Sequence, residues 1–225
     1  MKEVELLSEN IQLYTASGEQ KPFVCLAFGG IAKGLGVPVF EFMRTLSTAG
    51  VSSLFVKDPT QSWYQNPIEG LGKSPNEISV NLRALLDQHF PGKRVVAVGN
   101  SMGGFAAIAF GCLCNLDRVV AFSAQTFIDP ELRRQHRDIR WKEEMGRIQT
   151  IHIGDLAPLV SERPIDIDIY AGEKTNLDVM HARHLDGLPR VKLHLLPECG
   201  HDVSAWLRAQ GKLDEIICAA GMQPY

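Results

Sequence analysis

Near its start the chain alternates apolar and polar residues in two short runs, Glu3–Leu7 and Ile11–Tyr14, which predicts an antiparallel hairpin at a sheet edge. The pattern then changes. Phe23–Phe28 is continuously apolar and stops at Gly29-Gly30, as a strand buried on both faces would. A helix is predicted over about Val37–Ala49, closed by Gly50, and a strand over Val51–Val56. Lys57–Gly72 is rich in proline, glycine and aromatic residues and reads as a loop. Ile78, Leu82, Leu85, Leu86 and Phe90 recur at helical spacing and predict a helix over Asn76–His89. Arg94–Val98 and Arg118–Ser123 read as strands on either side of Met102–Cys114, a helix apolar on all sides. Strands at Ile165–Tyr170, ending at Gly172, and at Val191–Leu196 alternate with helices at Asp178–Leu185 and Val203–Ala219.

Strands alternating with helices imply βαβ units. The predicted class is therefore α/β, a mostly parallel central sheet flanked by helices, with little or no cap, in one domain spanning residues 1–225. The charged stretch 126–163, helix-prone around Pro130–Gly146, has room for a small lid or for a connecting helix. No internal repeat or low-complexity segment interrupts this order.

Composition narrows the partners. The 225 residues are 45% hydrophobic and 22% charged with a net charge of −3, which is globular and offers no general attraction to nucleic acid or anionic lipid. The densest basic group, Arg133, Arg134, Arg137, Arg140 and Lys142, is interleaved with acids; it reads as a solvated helix face, or less readily as a basic rim facing substrate. No run approaches the roughly 18 apolar residues of a membrane span, and the first nine residues hold no secretory apolar core. Five cysteines without a C-x-x-C argue for core residues and against a disulfide framework or structural zinc, so a reducing cytoplasm is the expected compartment.

The chemistry is concentrated at Gly99-Asn100-Ser101-Met102-Gly103, between a predicted strand and a predicted helix. This fits G-x-S-x-G, in which a serine on a sharp strand-to-helix turn projects its Oγ into a cleft. Side chains two residues to either side would meet the helix or neighbouring strands, which is why glycine is needed there. The helix N-terminus supplies N–H groups for an anion forming beside the serine. The phosphate-binding patterns G-x-x-x-x-G-K-[ST] and G-x-G-x-x-G are absent. Ser101, Gly29-Gly30, Asp58, Thr175–Asp178 and His201 all fall just past predicted strand ends, where open α/β sheets bind ligands.

Two specific features give the chain a resemblance to the α/β-hydrolase fold over nearly its whole length: the elbow at Ser101, and Leu196-Pro197-Glu198-Cys199-Gly200-His201, a last strand followed by Gly-His. Within that superfamily it is similar to small bacterial hydrolases with Phe-Gly-Gly, Asp…Trp-Tyr and Asp-x-x-His-Ala, here Phe28-Gly29-Gly30, Asp58…Trp63-Tyr64 and Asp178-Val179-Met180-His181-Ala182. The resemblance implies Ser101 as nucleophile, His201 as base, and an oxyanion hole from the backbone of Met102 and of Gly30 or Ile31. The usual position of the acid, three residues past Gly172, is Thr175, which cannot serve. Asp178 is the first choice for that role, Glu173 the second and Asp202 the third. Asp178 could also be simply an acid in the first turn of a helix. Asp58, Trp63 and Tyr64 are candidate substrate-binding residues; Trp63 and Tyr64 could equally pack a loop against the sheet edge, and Asp58 could do no more than organise it. His181 and His184, three apart on one helix, lack an evident third metal ligand and read as surface or packing residues.

These residues imply an esterase working through an acyl-enzyme, with no metal or organic cofactor. The acyl substrate would be a small molecule. Two alternatives stay open: a thioesterase or acyltransferase acting on a carrier-domain or CoA acyl group, and a binding module that keeps the fold without the chemistry.

Overall fold

The computed structural model describes residues 3–18, 20–31, 39–163 and 165–223. Its strands are β1 (Glu3–Ser8), β2 (Ile11–Thr15), β3 (Phe23–Phe28), β4 (Ser53–Val56), β5 (Arg94–Asn100), β6 (Arg118–Phe122), β7 (Asp166–Gly172) and β8 (Val191–Leu196). They form one sheet in the order β1-β2-β4-β3-β5-β6-β7-β8. The β1–β2 hairpin is antiparallel and lies at one edge, β2 also runs antiparallel to β4, and every other pairing is parallel.

Alternation along the central strands divides the core in two. Val24, Leu26 and Phe28 of β3, with Val95 and Ala97 of β5, face one layer. There they meet helices α2 (Pro75–His89), α3 (Met102–Leu113), α6 (Leu156–Glu162) and α7 (Asn176–His184). Phe23, Cys25 and Ala27, with Val96 and Val98, face the other layer. Its helices are α1 (Met43–Thr48), α8 (Val203–Ala209) and α9 (Leu213–Met222). A slip of one residue in β3 or β5 would exchange the two faces, so this apolar pattern sets the register. Three short helices lie in the 126–163 stretch: α4 (Pro130–Gln135), α5 (Lys142–Met145) and α6.

Two helix predictions need correction. Of the expected helix 37–49, Val37 and Pro38 lie outside the described residues, and regular helix starts only at Met43. Phe42 takes a left-handed conformation (φ 65°), which an α-helix cannot contain. The expected helix 203–219 is two helices, because Gly211 turns the chain at φ 68° between α8 and α9. Among the described residues no helix is long and apolar enough to cross a membrane.

Candidate active site

Ser101 follows β5 directly and begins α3 with φ 57° and ψ −118°, a conformation that costs an L-residue energy and persists only where neighbours impose it. Several neighbours do so. Its N–H donates to the Phe122 carbonyl at 2.8 Å, and its carbonyl accepts from Phe105 N–H. A Cβ on Gly99 would run into the Gly103 carbonyl, and one on Gly103 into the Phe28 carbonyl. Helix and sheet therefore approach as closely as they do only because both residues are glycine.

His201 lies in the turn between β8 and α8, and Asp178 in the first turn of α7. The structure brings these two residues to Ser101. His201 Nε2 is 3.0 Å from Ser101 Oγ, and His201 Nδ1 is 2.8 Å from Asp178 Oδ2. Glu173 and Asp202 are exposed, and the carboxylate at the ring is that of Asp178. With Nδ1 donating to a carboxylate, Nε2 is left to accept the serine proton.

Ser101 and His201 open onto a pocket of about 730 Å³, lined on its sides by Ile31, Glu41, Asn100 and Trp141. Glu41 bears on the expected oxyanion hole. Its carboxylate lies beside Gly30. Burial raises the Glu41 pKa to about 7, opposed by the Gly30 hydrogen bond and by the charge of Arg208. Ile31 lines the pocket, and Met102 occupies the first turn of α3.

Asp58, Trp63 and Tyr64 do not line the pocket; they take the packing position that the sequence also allowed. Asp58 is buried and accepts from the N–H groups of Thr60, Ser62 and Tyr64 and from the hydroxyls of Thr60 and Ser62. These bonds hold a loop in which Gln61, Trp63 and Tyr64 all have positive φ. The Tyr64 hydroxyl donates to the Gly29 and Val56 carbonyls, and its ring packs edge-on against Phe28. Trp63 is enclosed completely and its indole N–H donates to Gln125 Oε1 at 3.2 Å. Gln125, just past β6 and likewise enclosed, places Nε2 3.1 Å from Ser101 Oγ.

A second buried group supports Asp178. Arg140 donates to Asp178 Oδ1 at 2.7 Å and to both oxygens of Asp138. Asp138 also meets His181 Nε2 at 3.0 Å. His181 Nδ1 accepts the Thr126 N–H, so Nε2 carries the ring proton. Burial lowers the His181 pKa and outweighs the pull of Asp138, which keeps the ring neutral. Burial alone would raise the Asp138 pKa, but bonds from His181 and Arg140 hold it well below the usual carboxylate range. The sequence predicts Arg133 and Arg140 on a solvated face; both are instead largely covered, Arg140 between two carboxylates, whereas Arg134, Arg137 and Lys142 are exposed as expected. Trp141, next in sequence, stands with its ring centroid 6.1 Å from that of His201. His184, the other histidine of the pair on α7, meets Asp155.

With this geometry in hand, similar structures are informative. The capsule O-acetyltransferase of Neisseria meningitidis serogroup A superposes with a TM-score of 0.70 at 14% identity, over 95% of this chain and 93% of that one. MenH from S. aureus gives 0.65 at 16% identity, over 94% and 97%. FphF, a fluorophosphonate-binding serine hydrolase of Staphylococcus aureus, gives 0.63 at 15% identity, over 99% and 98%. The chain has the α/β-hydrolase fold. No family model matches the sequence, and a search of curated proteins returns no match. In α/β-hydrolase terms, the elbow strand is β5 and the histidine turn follows β8. Gln125, Asp138 and Glu41 have no role in the sequence reading, and Arg140 enters it only as one of the basic group Arg133, Arg134, Arg137, Arg140 and Lys142. The only local signal for any of them was the position of Gln125 just past a predicted strand end.

Proposed function

We propose that the chain is a serine hydrolase that cleaves a carboxylic ester of a small-molecule substrate through an acyl-enzyme. One observation carries this reading: Ser101, His201 and Asp178 form a continuous hydrogen-bonded line beside a pocket. Ser101 Oγ attacks the acyl carbon while its proton passes to His201 Nε2. The carbonyl π pair moves onto oxygen, which the N–H of Met102 and of Ile31 or Gly30 would receive at the N-terminus of α3. His201 hands its proton to the departing alcohol. Water then attacks the acyl-enzyme, losing a proton to His201, which returns it to Ser101. Asp178 keeps Nδ1 protonated and stabilises the charged ring. The residues that act need no metal or organic cofactor.

Acyl transfer is the second reading, favoured by the likeness to an O-acetyltransferase. It differs only in the final step, where an alcohol takes the place of water. A carrier domain or CoA as acyl donor belongs to this reading.

A fluorophosphonate probe should label Ser101, and labelling should disappear in Ser101→Ala and fall steeply in His201→Ala. An inert Ser101 in the native protein would leave a binding module as the better account. Release of p-nitrophenol from p-nitrophenyl acetate, compared with thiol release from acetyl-CoA and with product partitioning in added alcohols, separates ester hydrolysis, thioester cleavage and transfer.

A further inference from the structure

An sp3 hydroxyl oxygen has four directions: one bond to carbon, one to hydrogen, and two lone pairs. At Ser101 three are committed. One is the bond to Cβ, the second is the hydrogen aimed at His201 Nε2, and the third is a lone pair that accepts from Gln125 Nε2 at 3.1 Å. A single lone pair remains for attack.

The amide could in principle be turned over, and Trp63 decides that it is not. An indole N–H donates and cannot accept, so the atom 3.2 Å from Trp63 Nε1 must be the Gln125 oxygen. The amide nitrogen then faces Ser101. In the reversed orientation an oxygen would stand there and compete with His201 for the serine proton. In the present orientation Gln125 Oε1 also lies 3.5 Å from Ser101 Oγ, a longer contact than the 3.1 Å from Nε2 and the 3.0 Å from His201 Nε2. Both side chains are completely enclosed, so no bulk water substitutes for either partner.

We propose that Gln125 is a catalytic residue that sets the direction of attack of Ser101, and that Trp63 is a positioning residue that holds the Gln125 amide in its productive orientation. This rests on Ser101 being the nucleophile. In acylation the free lone pair forms the bond to the acyl carbon and the proton goes to His201, while the Gln125 N–H stays on Oγ. In deacylation Oγ departs with the bonding pair, regains a proton from His201, and again accepts from Gln125. Asp58 is the base of this arrangement, since its carboxylate holds the loop that presents Trp63.

The test measures second-order rates of fluorophosphonate labelling at Ser101, together with kcat and KM for p-nitrophenyl acetate, on variants verified as folded at the assay temperature. Gln125→Glu keeps an acceptor for Trp63 and replaces the donor to Ser101; labelling and kcat should fall ~100-fold with KM changed little. Trp63→Phe frees the amide to turn and should slow labelling ~10-fold. In a Gln125→Met background Trp63→Phe should cost less than about twofold more, because there is no amide left to orient. Wild-type labelling rates in Gln125→Glu, or an equal effect of Trp63→Phe in both backgrounds, would overturn the proposal. If the native protein is not labelled at Ser101, the nucleophile reading itself has failed, and the unsubstituted control alone reveals this.

Discussion

Two buried aspartates flank the serine–histidine pair, and they are satisfied in opposite ways. Among the described residues Asp58 takes its bonds from within six positions: three backbone N–H groups and two hydroxyls, with no cation. Asp138 is held by a guanidinium two residues away and an imidazole 43 residues away. The first shapes a loop. The second pins that part of the chain to α7. Each ends at a different member of the proposed triad, Asp58 through Trp63 and Gln125 at Ser101, and Asp138 through Arg140 at Asp178. A local scaffold of neutral donors fixes conformation, whereas a long-range charged scaffold fixes placement and brings pH dependence with it.

The largest test of this contrast removes the local hub. Asp58→Ala leaves several enclosed N–H groups without acceptors and should cost about 4 kcal/mol in urea denaturation. That loss should vary little with ionic strength. A fall of less than 1 kcal/mol would mean that the loop holds itself.

Arg140→Met should cost less, about 3 kcal/mol, because the guanidinium is partly exposed. It should also lower kcat/KM about 10- to 100-fold, since Asp178 loses a partner. Its stability cost should shrink in acid. Asp138 has a depressed pKa in the folded protein, so its contribution is present above the unfolded carboxylate value near 4 and is lost as pH falls through the folded one. A cost independent of pH between 2 and 6 would separate Arg140 from Asp138.

The smallest effect concerns Glu41, which belongs to neither hub. Its folded pKa, about 7, lies above the ordinary 4.5, so the native chain keeps a proton that the unfolded chain releases. Stability should therefore decline as pH rises from about 4.5 to 7. Glu41→Gln should flatten that decline while leaving the acid limb set by Asp138.

What could be read from the sequence follows the same division between local and distant. Gly99, Ser101 and Gly103 were legible because their spacing alone builds the turn, and Gly200-His201 because a strand end fixes where the ring starts. Asp178 was legible through chain order, and its place in the first turn of α7 brings it to the ring. Gln125 and Arg140 were not legible. Ser101 and Asp178, which they meet, lie 24 and 38 residues away in the chain. Trp63 and Tyr64 were ambiguous because an aromatic pair in a loop suits a pocket wall or a packed interior equally well, and only enclosure distinguishes the two. The break at Gly211 has a signal in the spacing of the apolar residues around it. Val203 and Leu207 keep a four-residue step, as do Leu213 and Ile217, but the six-residue step from Leu207 to Leu213 puts the two pairs out of phase.

Helix α3 has no polar face: from Met102 to Cys112 every side is covered, and β5 beneath it lies inside the sheet with β3 and β6 on its flanks. Such a unit cannot peel away alone, because exposing any side of it uncovers apolar surface. Amide hydrogens of Val96 to Gly99 should therefore exchange with solvent only when the entire sheet opens. On warming, the serine keeps its setting until the protein as a whole is lost.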